Sequence, residues 1–290
     1  MKERRQTSAS ESRKPTLASI APKHERHAVG RSAKAKSARQ QRILAELQTN
    51  PSIRISEMAR DFGVSGETIR RDVEELNRSG KVAKTYGGAV ARPFGSELAW
   101  DQRHVQLRKE RAAIASIAGA QVSPGDVLMI DAGSTVQHFA QYLVRNATDL
   151  TVVTNGLMVA TTLSANPAIT VIVCPGTYDP QQGCVLGVET IEFIAKFNAK
   201  SAFVGASGIT SQGPSDANPA LTAVKRAMFA QSQQRILLVD HSKFGQAGLA
   251  NVCPLSRLTA VIADKAPKGE LAQALDGANV KVLTTAGEND

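Results

Sequence analysis

Apolar residues recur at helical spacing in three consecutive segments near the start of the chain. These segments are ARQQRILAELQTN from residue 38, ISEMARDFG from residue 55 and VSGETIRRDVEEL from residue 64. In each segment the apolar positions fall on one helical face, which predicts three amphipathic helices. Ser56 and Ser65 are suitable N-caps for the second and third helices, and Gly63 is a suitable stop for the second.

A short hairpin pattern follows the three helices. The segment KVAKTYGGAV, residues 81–90, predicts two strands joined through the turn at Gly87 and Gly88. Three short helices followed by a hairpin indicate a winged helix-turn-helix, which we expect over residues 39–92. Its helix-turn-helix would occupy about 55–78, and its wing 81–90.

The pattern changes in the second half of the chain. One further helix is expected in ELAWDQRHVQLRKERAAIASIAGA, from residue 97, and seven short apolar runs then alternate with helical stretches. The runs are DVLMID, LTVVTN, ITVIVC, SAFVGA, RILLVD, LTAVIAD and VKVLTT. Strands alternating with helices predict a largely parallel sheet flanked by helices. The predicted fold is therefore α/β: a winged helix-turn-helix, a linker helix (93–121) and a C-terminal, largely parallel α/β effector domain (122–290).

The positive charge is concentrated at the N-terminus. The 290-residue chain has a net charge of +9, and residues 1–39 alone hold 11 Lys and Arg against 3 Asp and Glu. This segment is rich in Ser and Ala and lacks apolar periodicity, so we predict a basic, disordered tail over residues 1–38. Its role stays open between an arm that binds polyanions and a solubilising extension or misassigned start.

Composition excludes several other classes of protein. No apolar run is long enough to span a bilayer, and no apolar segment near the N-terminus suggests a secretory signal, so we expect a cytoplasmic protein without membrane attachment. The three cysteines, Cys174, Cys184 and Cys253, have no metal-ligand spacing and do not suggest a disulfide framework. We therefore expect neither a metal site nor a cofactor.

Two adjacent arginines stand near the start of the third predicted helix. When its apolar residues face inward, Arg70 and Arg71 point outward in the N-terminal half. In a helix-turn-helix that half of the second helix enters the major groove, where arginines contact guanine edges or phosphates. The alternative is that the arginines form ion pairs within the helix with Glu74 and Glu75. The preceding helix, the turn and the following wing favour DNA contact.

Polar residues follow several of the predicted strands. Ligands of parallel α/β sheets bind at the carboxyl ends of the strands, and a helix N-terminus with hydroxyl groups is a ready anion site. With two lysines nearby, these residues suit a small phosphorylated polyol. The alternative is that each is an ordinary cap or turn residue. The candidates at the strand ends are Asp131, Gly133, Ser134, Thr135, Thr154, Asn155, Gly208 and Asp240, with Lys225 and Lys243 as the lysines.

The segment ISEMARDFGVSGETIRRDVEELNRSGKVAKTYGGAV resembles the DNA-binding module of the DeoR family of bacterial transcriptional regulators. Val73 and Lys84 are mild departures, since the family favours Leu and Arg there. The resemblance implies a DNA-binding set on the third helix and the wing. This set comprises Ser65, Glu67, Thr68, Arg70, Arg71, Lys84, Tyr86, Gly87 and Gly88.

The resemblance continues through IDAGST, VVTNGLMVA, GASGI, AVKRAM and LLVDHSKFG, and so covers about residues 39–265. It implies an effector domain that is related in fold to sugar-phosphate isomerases and binds a phosphorylated sugar or a related metabolite. One departure is the segment NPALTAVK, which has no acidic residue where the family usually has one. The implied ligand-binding residues are Asp131, Gly133, Ser134, Thr135, Thr154, Asn155, Asp216, Asn218, Lys225 and Lys243, to which the strand ends add Gly208 and Asp240.

The leading hypothesis is a sequence-specific regulator, namely a repressor of a carbohydrate-metabolism operon. It would bind double-stranded operator DNA as a homodimer or homotetramer and be released by a phosphorylated sugar. The alternative is a sugar-phosphate isomerase carrying a DNA-binding module, with Asp131, Asp216 or Asp240 as base and His241 moving a proton. A regulator that uses partner proteins and no small ligand is a third hypothesis.

Overall fold

A computed structural model of the protein describes residues 23–50, 52–78, 82–91 and 107–285. These residues form an N-terminal module and a C-terminal α/β domain, each with its own apolar core.

The N-terminal module has three helices and a three-stranded antiparallel sheet with the order β1-β3-β2. Its core is one cluster of buried apolar side chains that includes Ile43, Met58, Ile69 and Val73. The three predicted helices and the wing hairpin are confirmed, whereas β1 is an additional strand. The elements are α1 (Lys23–Thr49), β1 (Ser52–Arg54), α2 (Ile55–Phe62), α3 (Gly66–Arg78), β2 (Val82–Thr85) and β3 (Gly88–Ala91).

Two of the three predicted helix boundaries are confirmed. Gly63 ends α2 in the left-handed conformation, with φ of 64°, and the Ser65 hydroxyl accepts the backbone N–H of Thr68 at 3.2 Å. The predicted cap at Ser56 is wrong, because α2 begins one residue earlier. There the backbone N–H of Arg54 donates to the Glu57 carboxylate at 3.2 Å.

The first helix is longer than predicted. It begins at Lys23, so the prediction of a disordered tail is wrong for residues 23–38, and residues 1–22 lie outside the described residues. Ala, Lys and Arg are frequent in this stretch and are good helix formers. The helix is also held to α3, since Arg39 pairs with the buried Asp72 and Gln40 donates to Glu75 at 2.9 Å.

The α/β domain is built on a seven-stranded sheet in which every neighbouring pair is parallel. The strand order is β15-β14-β12-β9-β4-β5-β6, which confirms all seven predicted strands and the parallel arrangement. The strands are β4 (Val127–Ile130), β5 (Leu150–Thr154), β6 (Ile169–Val173), β9 (Ala199–Val204), β12 (Ser232–Leu238), β14 (Ala260–Ala263) and β15 (Lys281–Thr284).

Helices cover both faces of this sheet. Leu128 and Ile130 of β4 belong to one apolar cluster, whereas Met129 between them belongs to the other, as the alternation along a strand requires. The helices of the domain are α4 (Arg108–Gly119), α5 (Ser134–Asn146), α6 (Leu157–Leu163), α7 (Val188–Ile194), α8 (Pro219–Ala230) and α9 (Glu270–Gly277).

Part of the predicted linker packs into this domain. Ile114 and Ala118 of α4 are buried in the same cluster as Phe139 of α5, so the domain begins by Arg108 rather than at residue 122. The remainder of the predicted linker, including Trp100, lies outside the described residues.

Two small antiparallel sheets were not predicted, because their strands have only two to four residues. One is the hairpin of β7 (Thr177–Asp179) and β8 (Cys184–Leu186). The other joins β10 (Gly208–Thr210), β11 (Gly213–Asp216) and β13 (Ala250–Asn251). The first hairpin and β11 each supply a residue to the pocket described below.

Candidate functional site

The exposed face of α3 is basic in its N-terminal half. The side chains of Arg70 and Arg71 are 64% and 81% exposed, while Ile69 and Val73 are buried. Both arginines lie near Glu67, at 3.5 Å for Arg70 Nη1 and 3.4 Å for Arg71 Nε. Exposed ion pairs of this kind contribute little to stability, so a phosphate or a base edge competes with them easily.

The acidic residues further along α3 have other partners. Glu74 accepts from Lys84 Nζ of the wing at 2.7 Å, and Glu75 accepts from Lys36 Nζ of α1 at 2.5 Å. The alternative that Arg70 and Arg71 pair with Glu74 and Glu75 is therefore wrong. These two glutamates bind α3 to the wing and to α1.

The wing turn brings further predicted DNA-binding residues to the surface. The Tyr86 side chain is fully exposed and Gly87 has φ of 82°, which favours glycine. Gly88 packs closely, since a Cβ atom there would lie 2.5 Å from the Ile53 carbonyl oxygen. Lys84 is half-exposed and held by Glu74, so its reach toward DNA stays a prediction.

A pocket lies at the carboxyl ends of β4 and β9 and beside the N-terminus of α5. It is open to solvent, and its cavity volume is about 30 Å³. Six of the predicted ligand-binding residues lie together in its lining, namely Gly133, Ser134, Thr135, Asp216, Lys225 and Lys243. Ala132, Gln182, Gly205, Ala206 and Leu221 complete the lining.

A buried ion cluster forms the floor of this pocket. Lys225 Nζ lies 2.5 Å from Asp216 Oδ2 and 3.1 Å from Asp131 Oδ2, and it donates to the Gly205 carbonyl at 2.9 Å. These three contacts use the three donors of an ammonium group. Burial alone lowers the pKa of Lys225, but the two carboxylates outweigh it and raise that pKa above its ordinary value. The lysine is therefore charged and fixed in place.

The carboxylate charge of Asp131 is the least compensated in the cluster. Burial raises its pKa above the ordinary value, Lys225 lowers it in part, and the carboxylate of Asp216 raises it again. Its Oδ1 atom finds no donor among the described residues, and neither does Oδ1 of the neighbouring Asn155. Ile130 and Thr154 are paired across β4 and β5, so Asp131 and Asn155 follow side by side. Of these two buried acceptors, Asp131 contacts the pocket residue Lys225, so its free Oδ1 is the one suited to a hydroxyl donor there.

Besides Asp131, five predicted residues lie outside the lining and have structural contacts. Thr154 Oγ1 accepts the Gly156 N–H at 3.0 Å, and Asn155 Nδ2 donates to the Val185 carbonyl at 3.1 Å. Asn218 caps α8 by accepting the Ala220 N–H at 2.9 Å. The others are Gly208, which packs against the Gln246 backbone, and Asp240, which is buried against Arg111 at 3.2 Å.

Sequence reasoning missed Gln182 and Leu221. Gln182 comes from the hairpin turn after β7, where no apolar pattern or motif distinguishes it. Leu221 lies in the NPALTAVK segment, where the lack of an acidic residue was visible in the sequence. The pocket therefore has an apolar wall beside its charged floor.

His241 forms a pair with Asp264 just beyond β12. The Nδ1 atom of His241 lies 2.5 Å from Asp264 Oδ2, and the His241 backbone N–H donates to Asp264 Oδ1 at 2.7 Å. The hydrogen bond with Asp264 raises the pKa of His241 above its ordinary value, although burial opposes this. His241 is not among the residues that line the pocket.

No group of three or more His, Cys, Asp or Glu side chains in the described ranges is placed to hold a metal ion. Within those same ranges, no helix is long and apolar enough to cross a membrane.

The exposed arginine pair lies on α3, which is the second helix of the helix-turn-helix, and the α/β domain carries a polar pocket. Together these features define a DNA-binding regulator. Comparison with known proteins identifies the family. Residues 39–92 match the model of the DeoR-like helix-turn-helix domain, and residues 106–265 match that of the DeoR C terminal sensor domain. The chain belongs to the DeoR family of transcriptional regulators.

Named relatives share most of the chain. The glycerol-3-phosphate regulon repressor of Escherichia coli is 32% identical over 229 residues, which cover 78% of this chain and 90% of the relative. The transcriptional repressor GlcR of Bacillus subtilis is 29% identical over 244 residues, covering 84% and 94%. A solved ribose 5-phosphate isomerase from Methanocaldococcus jannaschii shares 14% identity over 46% of this chain and 53% of its own, with a TM-score of 0.35. That likeness is too weak to bear on activity.

Proposed function

We propose that this regulator represses a carbohydrate-metabolism operon and leaves its operator when a phosphorylated sugar binds the pocket of the α/β domain. The observation that carries the proposal is the convergence of six chemically suitable residues in one pocket of a chain with an exposed DNA-reading helix. The names of its relatives as repressors support the direction of control.

The DNA contact would be made by α3 and the wing. Arg70 and Arg71 each carry a planar guanidinium that suits bidentate contact with guanine edges or with phosphates. Because Glu74 and Glu75 are neutralised by Lys84 and Lys36, the acidic half of α3 repels DNA less than its sequence suggests. Ser65, Thr68, Tyr86, Gly87 and Gly88 would contact the backbone around this helix.

The phosphate group would bind between Lys243 and the start of α5. The first backbone N–H groups of α5 and the hydroxyls of Ser134 and Thr135 line this side of the pocket, and the helix dipole favours an anion there. Lys225 cannot serve as the main phosphate ligand while its three donors are engaged. Its role would be to hold Asp131 and Asp216 as acceptors for sugar hydroxyls.

Leu221 would limit which sugar is accepted. It presents an apolar side chain to the pocket, so a ligand hydroxyl directed there would lose its hydration without gaining a partner. We infer a ligand that turns carbon–hydrogen bonds toward Leu221. Small, sparsely hydroxylated polyol phosphates, such as glycerol 3-phosphate, are therefore the first compounds to test.

We also propose that the protein is a cytoplasmic homodimer or homotetramer, and that the pocket senses its ligand without turning it over. The two-fold symmetry of helix-turn-helix operators favours a dimer. Both carboxylates in the pocket are engaged by Lys225, and this argues against a general base. Turnover of a pentose or hexose phosphate by the purified protein would revive the isomerase alternative.

The test is fluorescence anisotropy on the DNA upstream of the gene, at physiological salt with excess competitor DNA and a panel of sugar phosphates. We expect saturable binding that one compound releases. Lys243→Gln should keep operator affinity and lose the response to that compound, whereas Lys268→Gln, which removes an exposed lysine outside the pocket, should behave as wild type. Binding with no preference for the upstream DNA would refute the function, and equal responses of both variants would refute the site.

A further inference from the structure

A groove of about 320 Å³ lies outside the pocket and shares no lining residue with it. It is built around the amino-terminal half of β12, whereas the pocket lies beyond the carboxyl ends of the strands. Its floor is apolar, with Phe229 from the end of α8 and Val252, Cys253 and Pro254 from the segment after β13. Volumes of this order are typical of small-molecule sites.

Three arginines surround this floor. Arg226, Arg235 and Arg257 all line the groove, and no carboxylate does. All three act to lower the pKa of the Cys253 thiol, although burial outweighs them and raises it to about 11. Their charges therefore act on the same part of the groove floor. Among the described residues, none of the three forms an ion pair with a carboxylate.

Two of the guanidinium groups are fixed by backbone carbonyls. Arg226 donates to the carbonyls of Asn251 and Val252, and Arg235 donates to those of Ser232 and Arg257. Each of these arginines uses two of its five N–H groups in this way, so three remain. Fixed donors lose little conformational entropy when they bind an anion.

We propose that this arginine groove binds a small organic anion with an apolar body, as a second ligand site of the protein. Phosphate or carboxylate groups would bind the guanidinium donors, and the apolar body would cover Phe229 and Cys253. We choose this class of ligand because of charge complementarity. Three uncompensated positive charges beside an apolar floor match an anion that is charged at one end. Arg226 directly follows Lys225 on α8, so one helix contributes to both sites.

The probe is 1-naphthyl phosphate, which combines a phosphate dianion with an apolar bicyclic body. Isothermal titration calorimetry on the full chain should show saturable binding that Arg226→Gln and Arg257→Gln each weaken at least about tenfold, the usual range for hydrogen bonds to charged groups. Arg257→Gln is the variant least expected to disturb folding, because the Arg257 guanidinium has no hydrogen bond among the described residues. Arg145→Gln removes an exposed arginine of α5 and should bind as wild type.

A parallel titration of the Lys243→Gln variant identifies any binding heat that comes from the pocket. A negative result for ligand binding in the groove can therefore be distinguished from a negative result for ligand binding in the pocket. Uncharged 1-naphthol should bind at least about tenfold more weakly than its phosphate. The proposal is overturned if wild-type protein shows no saturable binding outside the pocket. It is also overturned if the arginine variants bind as wild type, or if 1-naphthol binds as tightly as the phosphate.

Discussion

Replacing Lys225 with Met tests whether the buried ion cluster beneath the pocket holds the α/β domain together. Met has a similar length and no charge, so the change removes the ammonium group and leaves most of the volume filled. Asp131 and Asp216 would then lie side by side, fully buried, with no cation between them. Burial of uncompensated carboxylates is among the costliest changes a single substitution can cause.

The size of the effect follows from burial. Removing one partner of a buried ion pair costs about 3–5 kcal/mol. At roughly 2–4 °C per kcal/mol for a domain of this size, the unfolding midpoint should fall by about 6–20 °C. Lys200→Met is the matched control, because Lys200 pairs with Asp126 at 2.7 Å but its side chain is 39% exposed. Asp126 is buried but also accepts the Ser123 backbone N–H at 2.9 Å, so we expect this half-exposed pair to contribute on the order of 1 kcal/mol.

The assay is thermal unfolding followed by circular dichroism, with hydrogen exchange to assign the loss of protection to β4 and α8. The penalty of Lys225→Met should also shrink as the pH is lowered from neutral. Lys225 lowers the pKa of Asp131, so its removal raises that pKa further above the ordinary value, and protonation of Asp131 at lower pH then removes the uncompensated charge. The reasoning is refuted if both Lys→Met variants lose the same stability, or if the penalty grows on acidification.

Three further predictions concern other parts of the molecule. Arg70→Ala should weaken operator binding by about 1–3 kcal/mol and relax specificity at one position of each half-site in anisotropy titrations. Arg145→Ala is the control and should bind the operator as wild type does. A uniform loss of affinity for all DNA sequences would indicate that Arg70 contacts a phosphate instead. Gly88→Ala should lower the stability of the winged module by about 1–3 kcal/mol, because the added Cβ would meet the Ile53 carbonyl. Gly277→Ala is the control, since a Cβ at that position meets nothing within 4 Å. Equal unfolding midpoints for the two variants would contradict this prediction. His241→Asn should lower the thermal unfolding midpoint most below about pH 6.5, because Asp264 raises the pKa of His241 and so stabilises the folded protein while the histidine is protonated. The difference from wild type should vanish as the pH rises. A pH-independent difference would exclude a contribution from histidine protonation.

Local patterns were sufficient to predict most of the fold. Helical spacing of apolar residues predicted α2 and α3, because one buried face determines the register of a helix. Apolar runs predicted the seven parallel strands, since strands buried on both faces are continuously apolar. The tail was mispredicted because Ala, Lys and Arg favour both helix and disorder, and packing of Arg39 on Asp72 is not visible locally.

The candidate pocket was predicted in part for the same reason. Strand ends are recognisable in the sequence and converge at one edge of a parallel sheet, so Ser134, Thr135 and Lys243 were found, whereas Asp216 was implied only by the family resemblance. Gln182 comes from a short hairpin whose position no periodicity specifies. Thr154 and Asn155 end a strand as expected, but their hydrogen bonds are made within the fold.

The sequence by itself determined the order of elements, the DeoR-family resemblance and the types of residue at the strand ends, because these depend on neighbours within a few positions. Tertiary structure alone decided which charges meet. Glu74 pairs with Lys84 ten residues away instead of with Arg70, and Asp240 pairs with Arg111 across 129 residues. The three arginines of the groove are likewise brought together only when α8, β12 and the turn before β14 pack. Contacts between distant residues depend on how whole elements bury their apolar faces, and no local pattern encodes that packing.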